Sequence, residues 1–288
     1  MHSVHQLYQY RKNISTKPFN ARGKKVIRCE LCRVSVDHCI CRYTPKSQTN
    51  AGFVLLMYDT EVLKPSNTGR LIADIFDDTF AFLWARTSVD DKLIRLLDDP
   101  KWQPVIVFPS EYAEQGRKCY TNSLPDSVAQ LNSKVEAKVS GKRPLFILLD
   151  GSWREAKKMF KKSPYLNKFP VVSFSPELQA EAYQECNVIS PKQLKSESLN
   201  TVSLKIKPSS EEKQITKVHY IRSAAKENQL ATAQVAANML KILGEEKNAQ
   251  LLSLWFDVFN YQYQRSVRQK NLGNDGALAQ LEALKAVL

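Results

Sequence analysis

A chain of 288 residues, 43% of them hydrophobic, has material for one substantial core plus a small appendage. No apolar run approaches the ~18–20 residues of a membrane span, and residues 1–28 hold no signal-peptide-like stretch. A soluble cytoplasmic protein with no membrane attachment is therefore expected. The formal net charge of +13 points to a polyanionic partner bound with release of counterions, with solubilising surface charge as the alternative.

Taken in chain order, residues 1–28 read as a polar, basic arm: Arg11, Lys12, Lys17, Arg22, Lys24, Lys25 and Arg28 all precede the first acid, Glu30. A small module at 29–45 follows, with Cys29, Cys32, Cys39 and Cys41. In a cytosolic chain this spacing reads as a structural zinc site, with His38 as a substitute ligand and a redox pair as the rival. After a polar linker at 46–50, strands are expected at 53–57, 80–84, 104–109, 144–149 and 171–174. Helices fall between them at 68–75, 90–98 and 153–162. This alternation predicts an α/β fold with a mostly parallel sheet. The polar stretch 177–217 lacks a clear period and reads as a loop or insertion. Helices follow at 231–243, stopped by Gly244, and at 249–268, before a tail at 269–288.

The run Asp150-Gly151-Ser152-Trp153 leaves the fourth strand and opens a basic helix. In open α/β sheets, ligands bind at the carboxyl ends of strands. A carboxylate there, with a glycine for close approach and an indole to wall off water, is a plausible reaction centre. The alternative is that Asp150 and Ser152 merely cap the helix. Arg154, Lys157, Lys158, Lys161 and Lys162 on that helix would contact phosphates, setting position rather than reading sequence.

The ordered set of motifs resembles the DTW-domain family of tRNA-uridine aminocarboxypropyltransferases. Its members in this chain are the four cysteines, Asn67-Thr68-Gly69-Arg70-Leu71, Phe108-Pro109-Ser110-Glu111, Asp150-Gly151-Ser152-Trp153 with Ala156, Tyr220-Ile221-Arg222 and a helix near Thr232. The chain departs from the pattern in Ser152, which stands where the family usually has Thr. Tyr58-Asp59 replaces a histidine-led segment, and Ala231-Thr232-Ala233-Gln234-Val235 replaces a Ser-Thr-x-Glu-Ala pattern.

The resemblance implies a SPOUT-like (knotted) core over residues 50–268, with S-adenosylmethionine as co-substrate and structural zinc in the N-terminal module. The implied reaction moves a 3-amino-3-carboxypropyl group to N3 of a tRNA uridine, commonly in the variable loop, and releases 5′-methylthioadenosine. Asp150 is the candidate general base. Thr68, Phe108, Pro109, Ile147, Ser152, Trp153 and Phe174 are the expected cofactor positions. Arg70 and Arg222 would hold a carboxylate or phosphate, alongside Arg154 and the helix lysines, with a structural ion pair as the alternative for each of the two. The family context suggests a monomer acting on tRNA. The rivals are an RNA methyltransferase using the same cofactor and a zinc-bearing RNA-binding protein without catalysis.

Overall fold

The protein is described here by a computed structural model covering residues 1–20, 23, 25–125, 142–175, 230–267 and 270–287. Its centre is a sheet of six strands, all parallel: β1 (Gly52–Met57), β2 (Thr79–Leu83), β3 (Trp102–Val107), β4 (Cys119–Thr121), β5 (Arg143–Asp150) and β6 (Val171–Ser173). Their order is β2-β1-β5-β3-β6-β4. β1 is buried along its whole length and β5 along nearly all of it, as expected for strands covered on both faces.

The period of two along each strand divides the interior into two cores. Phe53, Leu55, Met57, Phe146, Leu148 and Val172 face α2 (Gly69–Ile75), α5 (Thr232–Ile242) and α6 (Glu246–Arg265). Val54, Leu56, Leu145, Ile147 and Val171 face α3 (Asp91–Asp98) and α4 (Trp153–Lys161). The helices end as their sequences indicate: the Asp90 side chain accepts the Lys92 N–H at 2.8 Å, and Gly244 takes a left-handed φ of 80°.

The amino-terminal segment is more than an arm. Ser3–Asn13 forms α1, whose first turn is capped by the His2 ring accepting the His5 N–H. Val4 and His5 are buried, and Arg11 makes a 2.7 Å ion pair with Asp59. The tail likewise contains a helix, α7 (Ala277–Lys285), which packs on α6. Short β4 was not anticipated, and the sequence-derived bounds of the other elements shift by a few residues. The stretch 177–217 lies outside the described residues, as does the path of 176–229 on which the implied threading of the chain depends.

Within α6, Asp257 is buried, and among the described residues its Oδ1 has no hydrogen-bond partner. Burial pushes its carboxyl up to about 7, opposed by a hydrogen bond from Asn274. Because this value exceeds the 3.8 of the unfolded chain, the folded state holds the proton over that interval. Stability should therefore fall as pH rises from about 4 to about 7. Asp257→Asn should abolish that fall, which urea unfolding at pH 5 and pH 8 would read. Equal pH dependence in the two proteins would refute the assignment.

Candidate functional site

β1 is followed by α2 on one face of the sheet and leads to β2, whereas β5 is followed by α4 on the other face and leads to β6. The carboxyl ends of β1 and β5 are thus where the chain departs in opposite directions, the place at which open α/β sheets bind ligands. Asp150 is the last residue of β5, in register with Met57. It shares the parity of Phe146 and Leu148, so its side chain turns toward α2 and α5.

There it is 3% exposed and both oxygens accept hydrogen bonds. Asn67 Nδ2 donates to Oδ2 at 2.7 Å, and Thr232 Oγ1 donates to Oδ1 at 2.7 Å. The carboxylate is therefore not the helix cap. That position belongs to Ser152, exposed, whose backbone N–H donates to Glu155 Oε2 at 2.7 Å.

The Asn67 amide is committed on both ends. Its Nδ2 also lies 3.4 Å from Oε1 of the fully buried Glu61, and its Oδ1 accepts the Arg70 N–H at 3.2 Å. Glu61 in turn meets Lys64 Nζ at 2.5 Å. A polar chain thus runs from half-exposed Lys64 through Glu61 and Asn67 to Asp150 and Thr232. Such networks are stable at low dielectric only when their members are satisfied.

Gly69 makes this approach possible. A Cβ built there would lie 2.5 Å from Asp150 Oδ2. Gly69→Ala should push the carboxylate off Asn67 and cost roughly 1–3 kcal/mol of stability, the usual range for overpacking. A thermal melt checks this, and an unchanged midpoint would contradict it.

Arg70 is 1% exposed. Its Nη1 lies 3.3 Å from Asp74 Oδ2 and its guanidinium lies 4.7 Å from the Phe259 ring centroid. Asp74 also accepts from Trp255 Nε1 at 3.0 Å and contacts His2 Nε2 at 3.2 Å. Burial pushes the Asp74 carboxyl up, but His2, Arg70 and Trp255 outweigh it and hold the group below its usual value. This arrangement joins α1, α2 and α6.

The other expected positions divide. Phe108, Pro109, Ser152 and Trp153 gather where β3 and β5 end. Trp153 stacks on Phe108 with ring centroids 5.4 Å apart, and Phe108 stacks on Phe160 at 4.5 Å. Thr68 is buried immediately before α2. Ile147 is buried inside the core on the α4 side, three residues before the strand end. Phe174 is half-buried just after β6, packed against the opposite core. Arg154, Lys158, Lys161 and Lys162 are exposed and Lys157 is half-buried. Arg222 lies outside the described residues. Two surface hollows, one beside α3 and one at the α5–α6 turn, include none of these positions.

Sequence reading passed over Glu61 and assigned no role to Asn67 or Thr232. The available signal was the quoted Asn67-Thr68-Gly69-Arg70 motif, in which an amide and a glycine stand just before a helix.

In the N-terminal module, the thiols of Cys29, Cys32, Cys39 and Cys41 all lie within 4.8 Å of one another. Cys29 and Cys41 Sγ are 3.6 Å apart, and Cys32 and Cys39 Sγ are 3.8 Å apart. Tetrahedral zinc with Zn–S bonds of about 2.3 Å requires thiolates about 3.8 Å apart, a spacing these two pairs match, so the set could hold the metal. Burial alone would raise the Cys29 thiol, but backbone N–H groups of Cys32 and Leu31 directed at it bring it to about 7. His38 is not part of the set; its Nδ1 pairs with Ser35 Oγ at 3.0 Å. The knuckle turns through Arg33, a non-glycine residue at φ 58° whose Nη1 donates to Val62 O at 2.6 Å.

These features define an α/β protein with a parallel sheet, a four-thiol cluster able to hold a metal ion and a buried carboxylate at the sheet's switch point. The DTW domain family model matches residues 26–264, and the chain belongs to that family. No solved structure matches it. Family membership is consistent with a tRNA-modifying enzyme. Among the described residues, no helix is long and apolar enough to cross a membrane.

Proposed function

We propose that this DTW-domain protein transfers the 3-amino-3-carboxypropyl group of S-adenosylmethionine to N3 of a tRNA uridine in the variable loop, releasing 5′-methylthioadenosine. The observation that carries this reading is the family match, together with its motifs converging on Asp150 at the end of β5. S-adenosylmethionine supplies an electrophilic carbon, because its sulfonium leaves as a neutral thioether. The protein must select which carbon faces the base, exclude water and receive a proton.

In this reading Asp150 accepts the N3 proton as N3 forms its bond to the propyl carbon and the carbon–sulfur pair goes to sulfur. Each Asp150 oxygen accepts one of the hydrogen bonds from Asn67 and Thr232 and has a second lone pair, which can take the proton. Oδ1, bonded to half-exposed Thr232 at the first position of α5, is the oxygen we assign to this step. Phe108, Pro109, Ser152 and Trp153 would line the cofactor site. Thr68 and Phe174 would contribute from the helix and strand ends around it, and Ile147 through its main chain within β5. Arg154, Lys157, Lys158, Lys161 and Lys162 would carry tRNA phosphates, and zinc would hold the N-terminal module. Arg70, and Arg222 by resemblance, would fix the cofactor carboxylate or a phosphate; for Arg70 this acts through the helices it joins. We further assign the protein as a monomer in the cytoplasm.

The test is nucleoside mass spectrometry of tRNA from cells with and without the protein, with identification of the small by-product in vitro. An aminocarboxypropyl-uridine that disappears on deletion, with methylthioadenosine formed, is the expected result. S-adenosylhomocysteine would make the protein a methyltransferase. No binding of S-adenosylmethionine would leave a non-catalytic RNA-binding protein.

A further inference from the structure

Two aromatic stacks flank the Asp150–Trp153 turn, each with one lysine of α4 beside it. On the β3 side are Phe108 and Trp153, with Lys157 Nζ 5.8 Å from the Trp153 ring centroid. On the β1 side, Tyr58 stacks on Trp84 at 5.7 Å with planes 21° apart. Lys158 Nζ lies 3.5 Å from the Tyr58 hydroxyl and 5.8 Å from the Trp84 centroid. The first stack contains the expected cofactor positions. The second has no part in the reaction described above.

The second stack is built and rigid. Trp84 is 7% exposed, and its Nε1 donates to buried Ser163 Oγ at 2.9 Å, so the indole is a fixed backing. Tyr58 lies over it, half-exposed. The Tyr58 N–H donates to Asp150 O at 2.9 Å, and a Cβ at Gly151 would come within 3.3 Å of Tyr58 Cβ. The ring therefore sits against the reacting turn, with an exposed ammonium at its edge.

We infer that Tyr58, backed by Trp84, is a stacking shelf for an unpaired nucleobase of the RNA substrate, and that Lys158 binds the adjoining phosphate. A flat π-face with a cation at its rim matches a base with its phosphate, and stacking of this kind tolerates any base. The inference rests on the proposed RNA substrate and adds a binding position to it. It also divides the end of the sheet: cofactor on the β3 side, RNA on the β1 side.

The experiment titrates full-length protein with tRNA and with a short oligouridylate at fixed salt, and separately with S-adenosylmethionine. Tyr58→Leu, which keeps the packing on Trp84, should weaken both RNAs roughly five- to a hundredfold, the worth of one base–aromatic stack. Tyr58→Phe should bind like wild type, and Lys158→Gln should reduce the salt slope by about 1. Cofactor affinity should not change, and thermal melts establish that the variants are folded. If wild type binds RNA and Tyr58→Leu binds it equally, or loses cofactor instead, the shelf is refuted and the transfer reaction stands. If wild type binds neither RNA, the RNA substrate itself is refuted and the shelf with it.

Discussion

Asp150→Asn should lower the rate of transfer by about 10²–10⁴-fold, the usual worth of a positioned general base, while leaving the fold intact. The hydrogen bonds explain why this substitution separates chemistry from architecture. Asn67 donates to one oxygen and Thr232 to the other. An asparagine can keep its carbonyl oxygen toward Asn67 and turn its NH₂ toward Thr232, whose hydroxyl accepts as readily as it donates. The network then survives with the charge removed. Asp150→Ala breaks it and leaves a buried amide unsatisfied, so it should cost stability as well. Single-turnover transfer and S-adenosylmethionine binding, measured on the same preparations, make the comparison. A folded Asp150→Asn enzyme running at the wild-type rate would reduce Asp150 to a tie between α2 and α5.

The largest expected loss of stability comes from the metal. The double substitution Cys29→Ser, Cys41→Ser should lower zinc content from one ion per chain to nearly none, as measured by mass spectrometry of the native protein. The module is not a detachable ornament: Cys32, Val34 and Ile40 are part of the same buried core as α5 and α6. Losing the ion should free those side chains, and a melting midpoint lower by roughly 5 °C is expected, the shift that about 3 kcal/mol gives in a chain of this size. Chelation of the wild-type protein should have the same effect, because binding of the ion and folding of the module are one equilibrium. Retention of zinc by the double variant would refute the tetrathiolate assignment. An oxidant-dependent disulfide in its place would support the redox alternative.

Much of this architecture could be read before the structure was seen, and the reasons are local. The run Leu145 to Leu149 is apolar on both parities, which marks a strand covered on two faces. The basic spacing after Trp153 marks a helix with one solvated side. Alternation then assigns Asp150 to the Phe146 and Leu148 face. What lies opposite was not legible, because Asn67 and Thr232 come to Asp150 from 83 and 82 residues away. Glu61 opens a single 3₁₀ turn, Glu61–Leu63, too short for any period to distinguish a buried carboxylate from a solvated one. Arg70 read either as a ligand group or as a structural ion pair. Asp74, its neighbour at i+4, was the legible partner, and it takes Nη1 alone: among the described residues Nε and Nη2 have no hydrogen-bond partner. α1 was legible in principle from Val4, Leu7 and Tyr8 at helical spacing. The lysines and arginines from Arg11 onward make charge the dominant feature of the segment and mask that spacing.

The hydrogen bond from Thr232 to Asp150 has a consequence for α5. Thr232 is the first residue of that helix, and its hydroxyl is fastened to the carboxylate that ends β5. The helix start is therefore fixed by the sheet, so a shift of one residue at position 232 would disturb the reaction centre together with the packing of α5 and α6 on the strands.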